Sequence, residues 1–424
     1  MLTLFTIMGL CIVIGIPVAF AIAVSGMAYL VFESSVPLLV VAQKMVVGVD
    51  SFTLLAIPLF LLAGSLMAEG DITPRIMRFA ATLVGHIPGG MAMVMVVSCM
   101  FFGAISGSGV ADVAAIGSIV LPSMKEQGYK PPFSASLLGC SGALATVIPP
   151  SIVMVILGVT MGASIGKLFL GGIIPGVVTG FSLMMIAYYF AIKDKYPRLP
   201  RASWGEKFRA FREALLPLLA PVIILGGILK GIFTATEAGA VAALYALILS
   251  MFVYKKVNIK KLFRVSLDAA RVSAVVLFII AAANLFGWIL ASEDIPQKVA
   301  NFILSISTNY WIVLLLFNLL LILLGMFMET MAIIIIVLPI FFPILTQMGM
   351  DPVHIGVMVC VNLAIGANTP PLGVDLLAAC RVANVRYEDS FRYLAPLLGV
   401  MVLVLVLIVV FPPFVTWIPD LMIQ

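Results

Sequence analysis

Two stretches of this chain, 221 residues apart, carry the same helix breakers inside sequence apolar enough for lipid. Pro122, Gly128, Pro131, Pro149 and Pro150 fall on Pro343, Gly349, Pro352, Pro370 and Pro371. Matches of these two residue types in one ungapped register are the mark of an internal structural repeat. In a membrane protein, breakers at corresponding places in two halves point to a binding site between them, near the bilayer midplane.

Composition excludes a soluble domain. Hydrophobic residues make up 63% of the 424 and charged residues 10%, with mean hydropathy +1.23; soluble proteins carry roughly 25% charged residues. Hydrocarbon offers no partner to backbone N–H and C=O groups, so apolar runs of about 20 residues predict a polytopic all-α membrane protein. The first run extends from Met1 to about Phe32 without a basic leader, which predicts a retained transmembrane helix, not a cleaved signal peptide. The five cysteines are scattered without C-x-x-C spacing, and His86 and His354 are isolated. No transition-metal site, cofactor or catalytic cluster is expected, which disfavours an intramembrane enzyme.

Twelve of the 24 Lys and Arg residues lie in two segments, Lys193 to Arg212 and Lys255 to Arg264. The positive-inside bias places both in the cytoplasm. Two apolar runs between them, near 215–231 and 237–254, supply the even number of crossings this requires. The charge is thus a topology signal and gives no reason to expect nucleic acid. The first segment, with Pro197, Pro200, Trp204 and Glu206, reads as an amphipathic connector at the membrane surface. Thr234 and Glu237 fit a capping box that would open the next helix.

Each half then repeats one order of elements: a Gly-punctuated apolar stretch and a helix interrupted by Pro-Pro. In the first half the stretch runs from about Pro74 to Pro122, and Gly103-Ala-Ile-Ser-Gly-Ser-Gly109 makes a poor helix interior and a good hairpin tip. A re-entrant hairpin is expected, since irregular backbone at that depth must be buried in protein or line a polar cavity. In Ala145-Thr-Val-Ile-Pro-Pro-Ser151 two N–H donors are missing, which frees carbonyls upstream to coordinate a cation. The second half offers a tip at Gly325 to Thr330 and a break at Gly366 to Gly373. At the common offset Ser108 falls on Glu329 and Gly109 on Thr330, so the tips correspond in place and differ in chemistry.

At these residues the chain resembles the large membrane subunit of tripartite ATP-independent periplasmic (TRAP) transporters, of the DctM or SiaM type. Four segments in the expected order carry the resemblance: Asp50 to Phe60, Gly103 to Asp112, Thr236-Glu237-Ala238, and Asn368 to Gly373. It implies a bacterial inner-membrane, elevator-type secondary transporter with two inverted repeats, each giving a re-entrant hairpin and a broken helix to a moving transport domain. It further implies coupling to sodium, a small four-helix membrane subunit and a periplasmic substrate-binding protein. The small subunit is expected as a separate chain. On this reading residues 1–72 are scaffold helices of the first repeat, 73–166 its hairpin and broken helix, and 167–214 a connecting helix and surface connector. Residues 215–292 are the second scaffold, 293–385 the second hairpin and broken helix, and 386–424 a C-terminal helix.

The expected cargo is an organic carboxylate moved with about two sodium ions, sialic acid being favoured over C4-dicarboxylates. One sodium site would form from Gly103, Ser106 and Ser108 with Ala145, Ile148 and Pro149; the other from Gly325, Met328 and Thr330 with Gly366, Asn368 and Thr369. Substrate candidates are Ser108, Asp112, Pro150, Ser151, Glu329, Asp375 and Arg381. Simpler roles compete at several of these. Ser106 and Ser108 could let helices approach closely, Asp112 could complement a helix dipole, and Arg381 could anchor the membrane edge with Arg386 and Arg392. The rival within the same class is an anion carrier that works without a binding protein.

Overall fold

The structure, a computed structural model, describes residues 2–295, 297–299, 301 and 309–422. Among them the regular structure is helical, with no strand. The expected helix from Met1 to Phe32 is two helices, α1 (Leu2–Val13) and α2 (Val18–Phe32), because Gly15 turns left-handed at φ 87° and Pro17 follows. They lead through α3 (Leu39–Val49) to α4 (Ala56–Glu69). Next comes α5 (Ile72–Val84), a helix of its own within the stretch read as the start of the first hairpin.

The first repeated unit follows. Helices α6 (Gly90–Ser106) and α7 (Gly109–Glu126) form a hairpin whose tip is Gly107, left-handed at φ 63°, and Ser108. Then α8 (Pro131–Gly142) tightens into a 3-10 turn at Ala143–Thr146 and stops, and the chain resumes as α9 (Ile152–Met161). The long α10 (Ile165–Lys193) crosses back, followed by α11 (Trp204–Leu229), α12 (Ala235–Leu247) and the 34-residue α13 (Ile259–Ser292). Both α11 and α12 begin with capping boxes, Ser203 with Glu206 and Thr234 with Glu237, so Glu237 has the local role its spacing suggested.

The second unit has the same sequence of parts: a hairpin of α14 (Tyr310–Gly325) and α15 (Thr330–Gln347), then α16 (Pro352–Gly366), a break, and α17 (Val374–Ala383). Part of the 293–385 segment, residues 302–308, lies outside the described residues. The chain closes with α18 (Phe391–Val410) and α19 (Pro413–Met422).

Every matched breaker finds a structural use. Gly128 and Gly349 make left-handed turns at φ 80° and 84°, and Pro131 and Pro352 start α8 and α16, where the missing N–H has no helical acceptor to lose. Pro122 and Pro343 lie inside the second hairpin arms, and both Pro-Pro bonds are cis. The two units also exchange their last segments. α9 packs on α15, and the equivalent α17 packs on α7 and α8.

Seven helices among the described residues are long and apolar enough to cross a membrane, and shorter apolar helices accompany them. One buried cluster runs through both units from Ala19 to Val415, with fully enclosed Phe102, Phe133, Phe169 and Phe317. The face of α10 toward the first break is built from Gly172 and Gly176. A Cβ there would meet the Val147 carbonyl at 2.4 Å and Ile148 Cγ1 at 2.5 Å. Small residues of this kind let membrane helices approach at backbone distance.

Candidate substrate and ion site

The exchange of α9 and α17 brings both tips and both breaks to one place. Gly107, Ser108 and Gly109 of the first tip face Met328, Glu329 and Thr330 of the second across a cleft of about 80 Å³, with Thr146, Ala367 and Asp375 also in its wall. Each tip is tied to a break by backbone. Ile152 N–H donates to the Gly107 carbonyl at 3.4 Å, and Leu372 N–H donates to the Met326 carbonyl at 3.3 Å.

Around the first tip, Ser106 donates its hydroxyl to Oδ1 of Asp112, and the Ser108 N–H donates to the Ser106 oxygen at 3.3 Å. Asp112 is fully buried, and its Oδ2 has no hydrogen-bond partner. That oxygen lies 3.1 Å from where a Cβ on Gly103 would stand, and the Ala145 Cα lies 2.9 Å from the same point. Gly103, Ser106, Asp112 and Ala145 thus form one buried polar nest, and Asp112 belongs to this set, not to the cleft wall. Ile148 and Pro149 are buried, Ile148 against Gly176. The Pro150 carbonyl abuts Gly107, and Ser151 spends its hydroxyl on the Thr146 carbonyl at 2.8 Å, stitching the break together.

The second set is more open. Gly325 and Gly366 are in direct backbone contact, and Thr369 donates to the Ile365 carbonyl at 2.7 Å. Asn368, fully buried, donates to the Ala364 carbonyl at 3.1 Å, while its unpartnered Oδ1 faces Gly139 of α8. Pro371 and Leu372 are exposed, whereas the equivalent first break is enclosed.

Of the acidic candidates, Glu329 opens α15 on the cleft wall and Asp375 sits in the first turn of α17. Asp375 lies against the start of α7, its Oδ2 2.9 Å from a Cβ position on Gly109, and its own N–H donates to Ala367 at 2.9 Å. Arg381 is exposed in the last turn of α17 and is not part of the cleft wall; it makes no ion pair with Asp375.

Sequence reasoning passed over two features. Asn362 of α16 donates to Asn318 of α14 at its carbonyl, 3.0 Å, and at its side-chain oxygen, 2.8 Å. The signal was two amides in otherwise apolar runs. The other is Lys44, a lone base in α3.

The fold and the cleft define a helical membrane carrier with two matched, discontinuous units. The chain matches the family model of the tripartite ATP-independent periplasmic transporter, DctM component, over residues 5–414. It is 41% identical to the sialic acid TRAP transporter large permease protein SiaM of Vibrio cholerae over 96% of this chain and 95% of that one. It is 38% identical to the C4-dicarboxylate large permease DctM of Rhodobacter capsulatus, covering 96% of each. The isethionate permease protein DctMQ of Oleidesulfovibrio alaskensis is 42% identical over 95% of this chain, which spans 64% of that longer protein. Among solved structures, the Alcanivorax borkumensis YdaH transporter shares the fold, with TM-score 0.61 over 88% of both chains at 16% identity. The chain belongs to the DctM family of TRAP transporter large permeases. It is a transporter subunit and not an enzyme, a multi-pass protein of the bacterial inner membrane.

Proposed function

We propose that this chain is the translocating subunit of a sodium-driven importer for a small organic acid. The observation that carries the reading is the meeting of two hairpin tips and two helix breaks at one cleft. Half-helix N-termini at Ile152 and Val374 present positive dipole ends there, suited to an anion. The buried Asp112 carboxylate, with one oxygen unpartnered beside Gly103 and Ser106, suits a cation. Two units give two sodium sites, and two sodium ions carried with a monoanion gain ~2.3 kcal/mol per net charge per 100 mV of membrane potential.

The unequal burial of the two breaks and the small cleft support a carrier caught in one of two states. At about 80 Å³ the cleft is well below the ~300 Å³ at which small-molecule sites begin, so a sugar acid enters only when the tips part. Inverted repeats moving together as an elevator supply that change. The relatives named for sialic acid, isethionate and C4-dicarboxylates are similarly distant, so the common chemistry is a small organic anion, and sialic acid is the first to test. A periplasmic binding protein would deliver it, and a small four-helix membrane subunit would complete the scaffold.

The experiment is uptake of labelled sialic acid and succinate into proteoliposomes holding this chain, with and without the two partners, under a sodium gradient. Uptake is expected only with sodium and both partners. Robust uptake by the chain alone would favour the rival carrier that needs no binding protein.

A further inference from the structure

A second pocket lies between α3 and α13 on one side and α9 and α15 on the other. It holds about 470 Å³, within the range of small-molecule sites. Among the described residues its lining has a single charged one, Lys44, accompanied by Asn284, Thr160 and the Trp288 indole. Lys44 is half-buried within the apolar run of α3, its ammonium 5.3 Å from the Trp288 ring centre, and it makes no ion pair with any described residue. α3 is a short apolar helix packed on the long apolar α13, and a cation in such surroundings, with no counter-charge among the described residues, is a candidate binding group.

Two of the pocket's walls are shared with the central cleft. On α9, Val153 lines the cleft and Thr160 the pocket, about 10 Å further along at ~1.5 Å per residue. On α15, Thr330 and Met331 line the cleft, and Ile335 and Pro339 the pocket. The pocket also sits at the end of α13 remote from the basic loop that precedes Ile259. With that loop in the cytoplasm, the pocket is on the periplasmic half.

We infer that Lys44, Asn284 and Thr160 form an outer anion-binding station, where the carboxylate of an incoming organic acid is held before it passes between the tips. The inference deepens the importer reading and rests on it. Lys44 supplies charge, Asn284 and Thr160 supply hydrogen-bonding groups, and Trp288 gives an apolar face for the carbon skeleton. Because α9 and α15 wall both spaces, any displacement of these helices alters station and cleft together.

Two readouts test it. In the complex with the small subunit, in nanodiscs, Trp204, Trp311 and Trp417 are replaced by Phe so that Trp288 is this chain's only indole. Its fluorescence is then titrated with sialic acid, succinate and isethionate. A saturable change is expected for at least one of them, weakened roughly tenfold or more in Lys44→Gln, as for loss of a charged contact, and restored in Lys44→Arg. In proteoliposomes Lys44→Gln is expected to raise the anion concentration for half-maximal uptake by a similar factor while leaving the sodium dependence unchanged. If wild type transports and Lys44→Gln keeps its half-maximal concentration, the station is overturned and the importer reading stands. If wild type transports none of the three, the importer reading fails for them, and the fluorescence titration still decides the station. A response to anionic lipid alone, or loss of the small subunit from Lys44→Gln with unchanged fluorescence, assigns Lys44 to lipid or to subunit pairing and also overturns it.

Discussion

Gly325 and Gly366 meet backbone to backbone: a Cβ on either would stand 2.8 Å from the Cα of the other. The second tip is therefore seated on the end of α16 with no side chain between them. That seat fixes where Met328, Glu329 and Thr330 face the cleft.

Gly325→Ala and Gly366→Ala should each destabilise the protein by about 1–3 kcal/mol, the usual cost of overpacking a tight contact. Gly399→Ala, where nothing lies within 4 Å, is the control and should not destabilise. Thermal unfolding in detergent reads the difference. Equal melting temperatures for all three would show that the contact is slack.

Ser106→Ala removes the only hydroxyl donor that Asp112 has among the described residues and one oxygen of the first polar nest. The concentration of sodium for half-maximal uptake should rise roughly tenfold, the scale of a lost charge-assisted contact. Ser108→Ala, Thr330→Ala and Thr369→Ala should act in the same direction. Ser118→Ala, whose exposed hydroxyl bonds only the Ala115 carbonyl, should leave it unchanged. Altered stability with unaltered sodium dependence in all four would reduce the hydroxyls to packing.

The native cysteines at 11, 99, 140, 360 and 380 are all buried, so background labelling should be low. Single cysteines placed at 198 or 256 should react with an impermeant maleimide only in inverted vesicles. Reaction of just one of the two from the periplasmic side would break the two-crossing segment formed by α11 and α12.

The Asn318–Asn362 pair joins α14 to α16, and such contacts between membrane helices contribute about 1 kcal/mol. Asn362→Leu leaves Asn318 Oδ1 without its donor, so the single variant should unfold at lower temperature. Adding Asn318→Leu should recover part of the loss, since removing both partners costs less than stranding one. A double variant less stable than either single one contradicts this coupling.

Much of the architecture could be read from local chemistry. Gly107 and Ser108 end a hairpin because nothing there favours a continuing helix, and Pro149-Pro150 and Pro370-Pro371 end helices because they lack donors. The capping boxes at Ser203 and Thr234 are four-residue patterns, complete in the sequence. The break at Gly15 to Pro17 was missed because hydropathy averaged across a window does not register one left-handed glycine.

The site is another matter. Ser106 and Asp112 are six residues apart and pair only because the tip between them folds back on itself. Asp375 comes to Gly109, 266 positions away in the chain, through the packing of α17 on the first hairpin. Asn368 has the composition of an ion ligand, yet its free oxygen faces α8, and Arg381 lies at the far end of the helix that begins beside the cleft. Sequence alone determined the all-helical class, the two tips, the two Pro-Pro breaks and their repeat, since each follows from backbone donors, glycine freedom and apolar periodicity within a few turns; the splitting of the first run into α1 and α2 it did not. Which polar atoms share a nest, and which stand apart, was decided by tertiary packing: the first hairpin folded on its own break joins Gly103, Ser106, Asp112 and Ala145, and the exchanged second unit brings Asp375 to Gly109 and Asn368 to Gly139. No local pattern records those contacts, because they join separate elements, some of them from different units.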